Sequence, residues 1–195
     1  MNLNNIDFIL ASASPRRKEL LERAGYKFVI DASGIDENGF DKAHPIEYAA
    51  KLALAKANDV ANRHPDMLVL GADTIAACDG LIIGKPADAA DAEQITRLLF
   101  SKPHKVITAV AVVRICDGLE ISRADTTIVY PKKMTDDMIR KHLASGTWEG
   151  KAGAYAIQET GDEFVDRLEG SITNVMGLPM EIIAEIFDGL GIKKS

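Results

Sequence analysis

Ser12, Ser14, Arg16 and Arg17 have the types and spacing of an anion site. Ser14 and Pro15 read as the N-cap and first residue of a helix: the serine hydroxyl accepts from an unpaired N–H, and proline lacks the N–H that would go unsatisfied. The first turn then carries Arg16, Arg17 and Lys18, although a helix N-terminus favours negative charge. Either the three cations are simply solvated, or the free N–H groups, both hydroxyls and two guanidinium forks converge on an anion such as a phosphate.

Other residues have chemistry that would complete such a site. Glu37 lies in the acidic, Gly-rich loop over 33–39, which is otherwise an ordinary solvated loop. Lys56 falls inside the apolar stripe Ala49, Leu52, Ala53, Val60. Its stem either covers apolar surface while the ammonium reaches water, or it points into a cleft holding negative charge. Asp73 follows a buried-strand pattern, where open α/β sheets collect ligands, or else it caps a turn. The segment Gly80 to Pro86 superficially resembles a phosphate loop but is one residue short, with proline where the hydroxyl residue belongs. It leaves Lys85 as a point charge for a phosphate or a plain turn lysine. Gln158 ends the stretch 150–158, whose small residues let a ligand approach the backbone, or let strands pack closely. Glu37 and Asp73 supply hard oxygens for Mg²⁺ or another divalent cation such as Mn²⁺, while Arg16, Arg17, Lys56 and Lys85 balance a polyphosphate. That set suits phosphoryl or nucleotidyl chemistry. His44, His64, His104 and His142 form no metal-binding pair and sit near no nucleophile elbow, which argues against a histidine-based hydrolase.

The elements that must position these residues follow from periodicity. Helices are expected over 15–24, ended by Gly25, and over 45–62. Strands are expected at 26–30 and 67–70, the second apolar throughout as in a sheet covered by helices, and ended by Gly71 to Thr74. Asp79-Gly80 and Asp117-Gly118 mark hairpins, pairing 75–78 with 81–83 and 105–115 with 120–130. Asp88 caps a helix to about Ser101 with Ala92, Ile95, Leu98 and Leu99 inward. Further helices open at Thr135 and Pro179, the last with Met180, Ile183, Ala184, Phe187 and Leu190 as its core stripe.

With 195 residues, 47% of them hydrophobic, the chain buries a proper core as one domain or two closely joined lobes. No apolar run reaches the roughly 18 residues that span a bilayer, and the start lacks a signal segment, so a cytoplasmic protein with no membrane partner is expected. The net charge of −6 and an aromatic content of 6% argue against a nucleic-acid surface, which needs many phosphate contacts and stacking platforms. Cys78 and Cys116 form no CxxC pair and read as reduced, buried thiols.

Together, Ala11 to Arg17, Gly71 to Thr74, Gly84-Lys85-Pro86, Lys151 to Gln158, Arg167 to Ser171, Asn174-Val175 and Gly177-Leu178-Pro179 resemble the motifs of the Maf family, in order over almost the whole chain. The resemblance implies a nucleoside triphosphate pyrophosphatase in a single unit over 1–195. Its implied α/β fold is a long mixed sheet flanked by helices, in two lobes about a cleft, similar to inosine triphosphate pyrophosphatase. By position it implies functional roles for Ser12, Arg16, Arg17, Glu37, Lys56, Asp73, Lys85 and Gln158. Arg16, Thr74 and Gln158 resemble the branch acting on dTTP and UTP rather than on 7-methylguanosine triphosphate, although Ala156 and Glu159 stand where that pattern has glycines. On this expectation Asp73 activates a water against the α-phosphorus, and Glu37 with Asp73 holds the metal. The implied role is house-cleaning of the nucleotide pool. Because the family is also linked to inhibition of septum formation, the alternative is a nucleotide-binding regulator of cell division with little catalysis. A homodimer is left open.

Overall fold

The structure is a computed structural model that describes residues 6–42, 44–155 and 164–194. Strands β1 (Phe8–Leu10), β2 (Phe28–Ile30), β3 (Val69–Cys78), β4 (Leu81–Ile83), β5 (His104–Arg114), β6 (Leu119–Pro131) and β7 (Val165–Glu169) form one seven-stranded sheet. Helices α1 (Pro15–Arg23), α2 (Pro45–Ala61), α3 (Ala89–Leu99), α4 (Asp136–Ala144), α5 (Ile172–Met176) and α6 (Met180–Gly189) flank it. The order is β2-β1-β3-β5-β6-β7, with β4 paired to β3. Strand β1 runs parallel to β2 and β3, and the remaining pairs are antiparallel. This is the mixed α/β sheet with helical cover that the resemblance implies. No helix among the described residues is long and apolar enough to cross a membrane.

Alternation along β3 divides the core. Val69, Ile75 and Ala77 face α2 with Ile9, Leu52, Ala53, Ala57 and Ile107. Leu70 and Ala72 face the other side, with Phe8, Leu10, Val110, Val112, Ile183 and Phe187. Each large side chain fully buried in these layers contributes about 1.5–3 kcal/mol. Gly71 lets α2 sit close, because a Cβ there would lie 2.3 Å from the Ala53 carbonyl oxygen and 2.9 Å from the Ala57 Cβ. That contact brings the turn of α2 carrying Lys56 onto β3.

One boundary differs from expectation in a way that shapes the site. Strand β3 does not end at Gly71-Ala72-Asp73-Thr74 but continues through them to Cys78. The reason is β5, which pairs with β3 from Val69↔Val113 to Ala77↔Lys105 and holds it extended. On the opposite edge β1 stops at Leu10, paired with Leu70, and the pairing of β3 with β4 starts only at Ala76, opposite Ile83. Residues 71–75 therefore have a strand on one side and a gap on the other. The cavity described below opens at the carboxyl end of β1 rather than of β3.

Local signals behave as their chemistry requires. Ser14 accepts from the Arg17 N–H, and Gly25 beyond α1 has φ of 82°. Asp79 and Gly80 take φ of 51° and 80°, the two left-handed residues of a tight hairpin turn. In α6 the buried stripe is Ile183, Ile186 and Phe187, with Ala184 only partly covered. Neither β7 nor α5 was expected from periodicity. Cys78 is a buried free thiol, whereas Cys116 is exposed, because it sits in the loop joining β5 to β6 rather than in a strand.

Candidate active site

A cavity of about 340 Å³ lies against the gap in the sheet. Its lining includes Ser12, Ser14, Arg16 and Arg17 from the β1–α1 loop and α1, Glu37, Lys56 from α2, Asp73 and Thr74 from β3, and Lys85 beyond β4. Residues spread over more than seventy positions are thus brought to one place. Gln158, with Ala156 and Glu159, lies outside the described residues.

Alternation in β3 sends Asp73 to the α2 face and Thr74 to the other, so the two neighbours do different work. Asp73 is buried, and its Oδ1 accepts from Lys56 Nζ at 2.6 Å. The same ammonium lies 2.7 Å from Glu37 Oε1, with 14% of the Lys56 side chain exposed. Lys56 is therefore turned into a cleft holding two carboxylates, and does not reach out to bulk water. Lys85 Nζ stands 3.8 Å from the other Glu37 oxygen. Burial pushes the Asp73 carboxyl above its ordinary value, against the opposing pull of Lys56 and Arg17. Burial also acts to raise Glu37, but the hydrogen bond and charge of Lys56, with Lys85 behind it, leave that carboxyl below the usual range. The two carboxylates are thereby set apart: Asp73 is the more basic, Glu37 the more firmly ionised. Among the described residues, Asp73 Oδ2 takes no hydrogen bond.

Arg17 is buried and its guanidinium is largely used by the protein itself. Nε donates to the Gly177 carbonyl at 2.8 Å, Nη1 to Ser12 Oγ at 2.9 Å and the Ala72 carbonyl at 3.0 Å, and Nη2 to Thr74 Oγ1 at 3.0 Å. The Ala72 contact has a simple origin. Carbonyls 68 and 70 on this edge of β3 accept from the N–H groups of Ile9 and Ala11; at 72 no strand remains, and Arg17 takes the next rung. Thr74 continues the chain of bonds. Thr108 Oγ1 gives its hydrogen to the Asn174 carbonyl, so it accepts from Thr74, 3.0 Å away. Asn174, fully buried, accepts from the Thr108 N–H and donates to the Val106 carbonyl and Thr127 Oγ1. Burial lowers the pKa of Arg17, as it does that of Arg16, though an arginine stays charged at neutral pH.

Ser14 serves the helix cap, and Ser12 accepts from its N–H and from Arg17. The hydroxyl pair therefore shapes the loop whose open side lines the cavity. Asn174, Thr108 and Gly177 were not singled out for a role from sequence. The sequence signal at Asn174 is its place in the motif Asn174-Val175, since Ile172-Thr173-Asn174-Val175-Met176 shows no pattern that marks a buried amide.

A family model described as Maf-like protein matches residues 7–190. The chain belongs to the Maf family. Curated relatives of this Maf chain include proteins named dTTP/UTP pyrophosphatase. That of Geotalea uraniireducens is 45% identical over 185 residues, covering 94% of this chain and 93% of its own. That of Alkaliphilus metalliredigens is 44% identical over 179 residues, covering 91% and 93%. That of Citrifermentans bemidjiense is 42% identical over 190 residues, covering 97% of each. Gly71 to Thr74 and Gly84-Lys85-Pro86, both inside the matched range, carry Asp73, Thr74 and Lys85 into the cavity.

Proposed function

We propose that this Maf protein is a nucleoside triphosphate pyrophosphatase that hydrolyses dTTP and UTP to the monophosphate and pyrophosphate, clearing surplus nucleotides from the cytoplasmic pool. The observation that carries the reading is the Asp73–Lys56–Glu37 cluster in a cavity that also holds Arg16 and Lys85. A buried carboxylate with one oxygen held and the other open is suited to taking a proton, which binding alone would not require. That favours an enzyme over a nucleotide-binding regulator of cell division. The substrate choice is supported by the names of the relatives and by Arg16, Thr74 and the sequence position of Gln158.

In this reading a water lies at Asp73 Oδ2, which orients it toward the α-phosphorus and accepts its proton as the bond to oxygen forms; the pyrophosphate leaves on the opposite side. Lys56 holds Asp73 through Oδ1 and keeps it ionised. Arg16 and Lys85 meet charge on the phosphates, while Arg17 fixes the loop from Ser12 and the position of Thr74. The donor set also fits a divalent ion. Glu37 and Asp73 offer hard carboxylate oxygens at one wall, and Mg²⁺ is commonly held by one or two carboxylates with substrate phosphates and water completing its shell. Mg²⁺ or Mn²⁺ held there would neutralise triphosphate charge when bound.

The test is release of pyrophosphate and monophosphate from dTTP, UTP, CTP, GTP, ITP and 7-methylguanosine triphosphate, with Mg²⁺ and with EDTA. Metal-dependent turnover led by dTTP and UTP is expected, and Asp73→Asn should lower kcat by about 10²-fold or more while nucleotides still bind. Turnover led by another nucleotide would overturn the substrate assignment. An Asp73→Asn protein keeping most of its rate would remove Asp73 as the base.

A further inference from the structure

Part of the cavity lining comes from the segment after α4, which is held at several points by hydrogen bonds. Trp148 is folded beneath it, its Nε1 donating to the Leu143 carbonyl at 3.0 Å. His142 Nε2 donates to the Ala154 carbonyl at 2.8 Å, which pins the far end. Between these anchors Gly150 turns with φ of 67°. The Gly153 N–H then donates to the Gly84 carbonyl at 3.1 Å, so the segment is joined to the backbone immediately before Lys85. The cation on this segment is Lys151, which lines the cavity and whose Nζ donates to the Thr147 carbonyl.

Among the described residues the charges lining the cavity are unequal. Arg16, Arg17, Lys56, Lys85 and Lys151 face Glu37 and Asp73. Lys56 is paired with both carboxylates, and Arg17 is engaged by Ser12, Ala72, Thr74 and Gly177. Lys151 and Arg16 are different: among the described residues neither has a carboxylate partner. Burial and the charge of Arg16 both press the Lys151 ammonium below its ordinary pKa. Two cations that line one cavity with no carboxylate partner among the described residues are stabilised by a bound anion of high charge density. The bond from the Gly153 N–H to the Gly84 carbonyl sets the Lys151 segment beside the backbone that carries Lys85, on the side of the cavity where that cation enters.

We propose that Lys151 is a further substrate-binding cation of this site, acting with Arg16 on the phosphate oxygens that leave as pyrophosphate. The proposal rests on the hydrolysis argued above and adds a residue to it. The segment from Trp148 to Gly153 then has a defined purpose: it carries a phosphate ligand into the cavity, tied through Gly153 to the backbone next to Lys85.

The test compares inhibition of dTTP hydrolysis by inorganic pyrophosphate and by dTMP in the parent, Lys151→Gln and Lys151→Arg proteins. Lys151→Gln should weaken pyrophosphate about tenfold, leave dTMP within about twofold, and be rescued by Lys151→Arg. Pyrophosphate affinity within about twofold of the parent in Lys151→Gln would overturn the assignment. A second measurement needs no variant: acylation of parent lysines by an activated ester, mapped by peptide mass, with and without pyrophosphate. Protection of Lys151 is expected, and an active parent showing none would overturn Lys151 alone. A parent inactive on every nucleotide yet protected at Lys151 would overturn the hydrolysis and keep the anion site.

Discussion

Replacing Lys56 by methionine tests the arrangement of the site through stability, with no substrate present. The ammonium stands 2.6 Å from Asp73 Oδ1, and at an effective dielectric constant near 20 their attraction is about 6 kcal/mol. Desolvation of the ammonium offsets part of this, and removing one partner of such a buried pair is expected to cost about 3–5 kcal/mol. Set against a typical total of about 5–15 kcal/mol, that is large enough to measure directly. The pH dependence carries the sharper information. Burial holds native Asp73 above its ordinary 3.8, so the stability linked to that group is full below 3.8 and is lost as pH rises through the raised native value. Lys56 limits that loss, and its removal extends it. Glu37 is held below its ordinary 4.5 by Lys56, so its contribution is present above 4.5 and lost as pH falls. Removing Lys56 deletes that contribution too, mainly at high pH. Urea unfolding of parent and Lys56→Met in EDTA, at about pH 5 and about pH 8, should show a larger stability gap at the higher pH. An equal or smaller gap at the higher pH would refute the placement of Lys56 as the counter-ion of both carboxylates.

Other expectations follow from single contacts. Arg17→Lys keeps the charge but loses the fork to Gly177, Ser12, Ala72 and Thr74, and should lower stability by about 2–4 kcal/mol in urea titrations, with a fall in kcat. Unchanged unfolding would show that the guanidinium is not the tie described. Gly71→Ala places a Cβ against the α2 backbone and should cost about 1–3 kcal/mol or more by thermal melting, whereas Gly34→Ala, with open space around it, should be near neutral. Asn174→Leu strands the Thr108 N–H and the Val106 carbonyl and should cost about 2–4 kcal/mol, read by the same melting experiment.

Legibility in the sequence tracked how local each cause was. Ser14-Pro15 and Asp79-Gly80 act on their own backbones, so the helix start and hairpin turn could be read directly. The end of β3 could not, because its continuation depends on β5, which lies some thirty residues onward in the chain. Lys56 was ambiguous for a related reason: stripe position alone does not distinguish an ammonium that reaches water from one aimed at Glu37 and Asp73. By type and spacing Arg16 and Arg17 are alike as anion ligands. Their neighbours separate them, since Arg17 closes on carbonyls as distant as Gly177 while Arg16 remains at the cavity wall. Buried Asn174 shows the same limit, its partners lying on β5 and β6.

The rung that Arg17 supplies at Ala72 has a consequence for synthesis of the chain. Its Nε acceptor is the carbonyl of Gly177, 160 residues downstream. While the ribosome has released only the first six strands, the loop from Ser12 has its serines and cations but no fixed partner at that nitrogen. Forming the strands alone therefore leaves the site unset, because the acceptor that fixes Arg17 Nε lies beyond all seven of them in the chain.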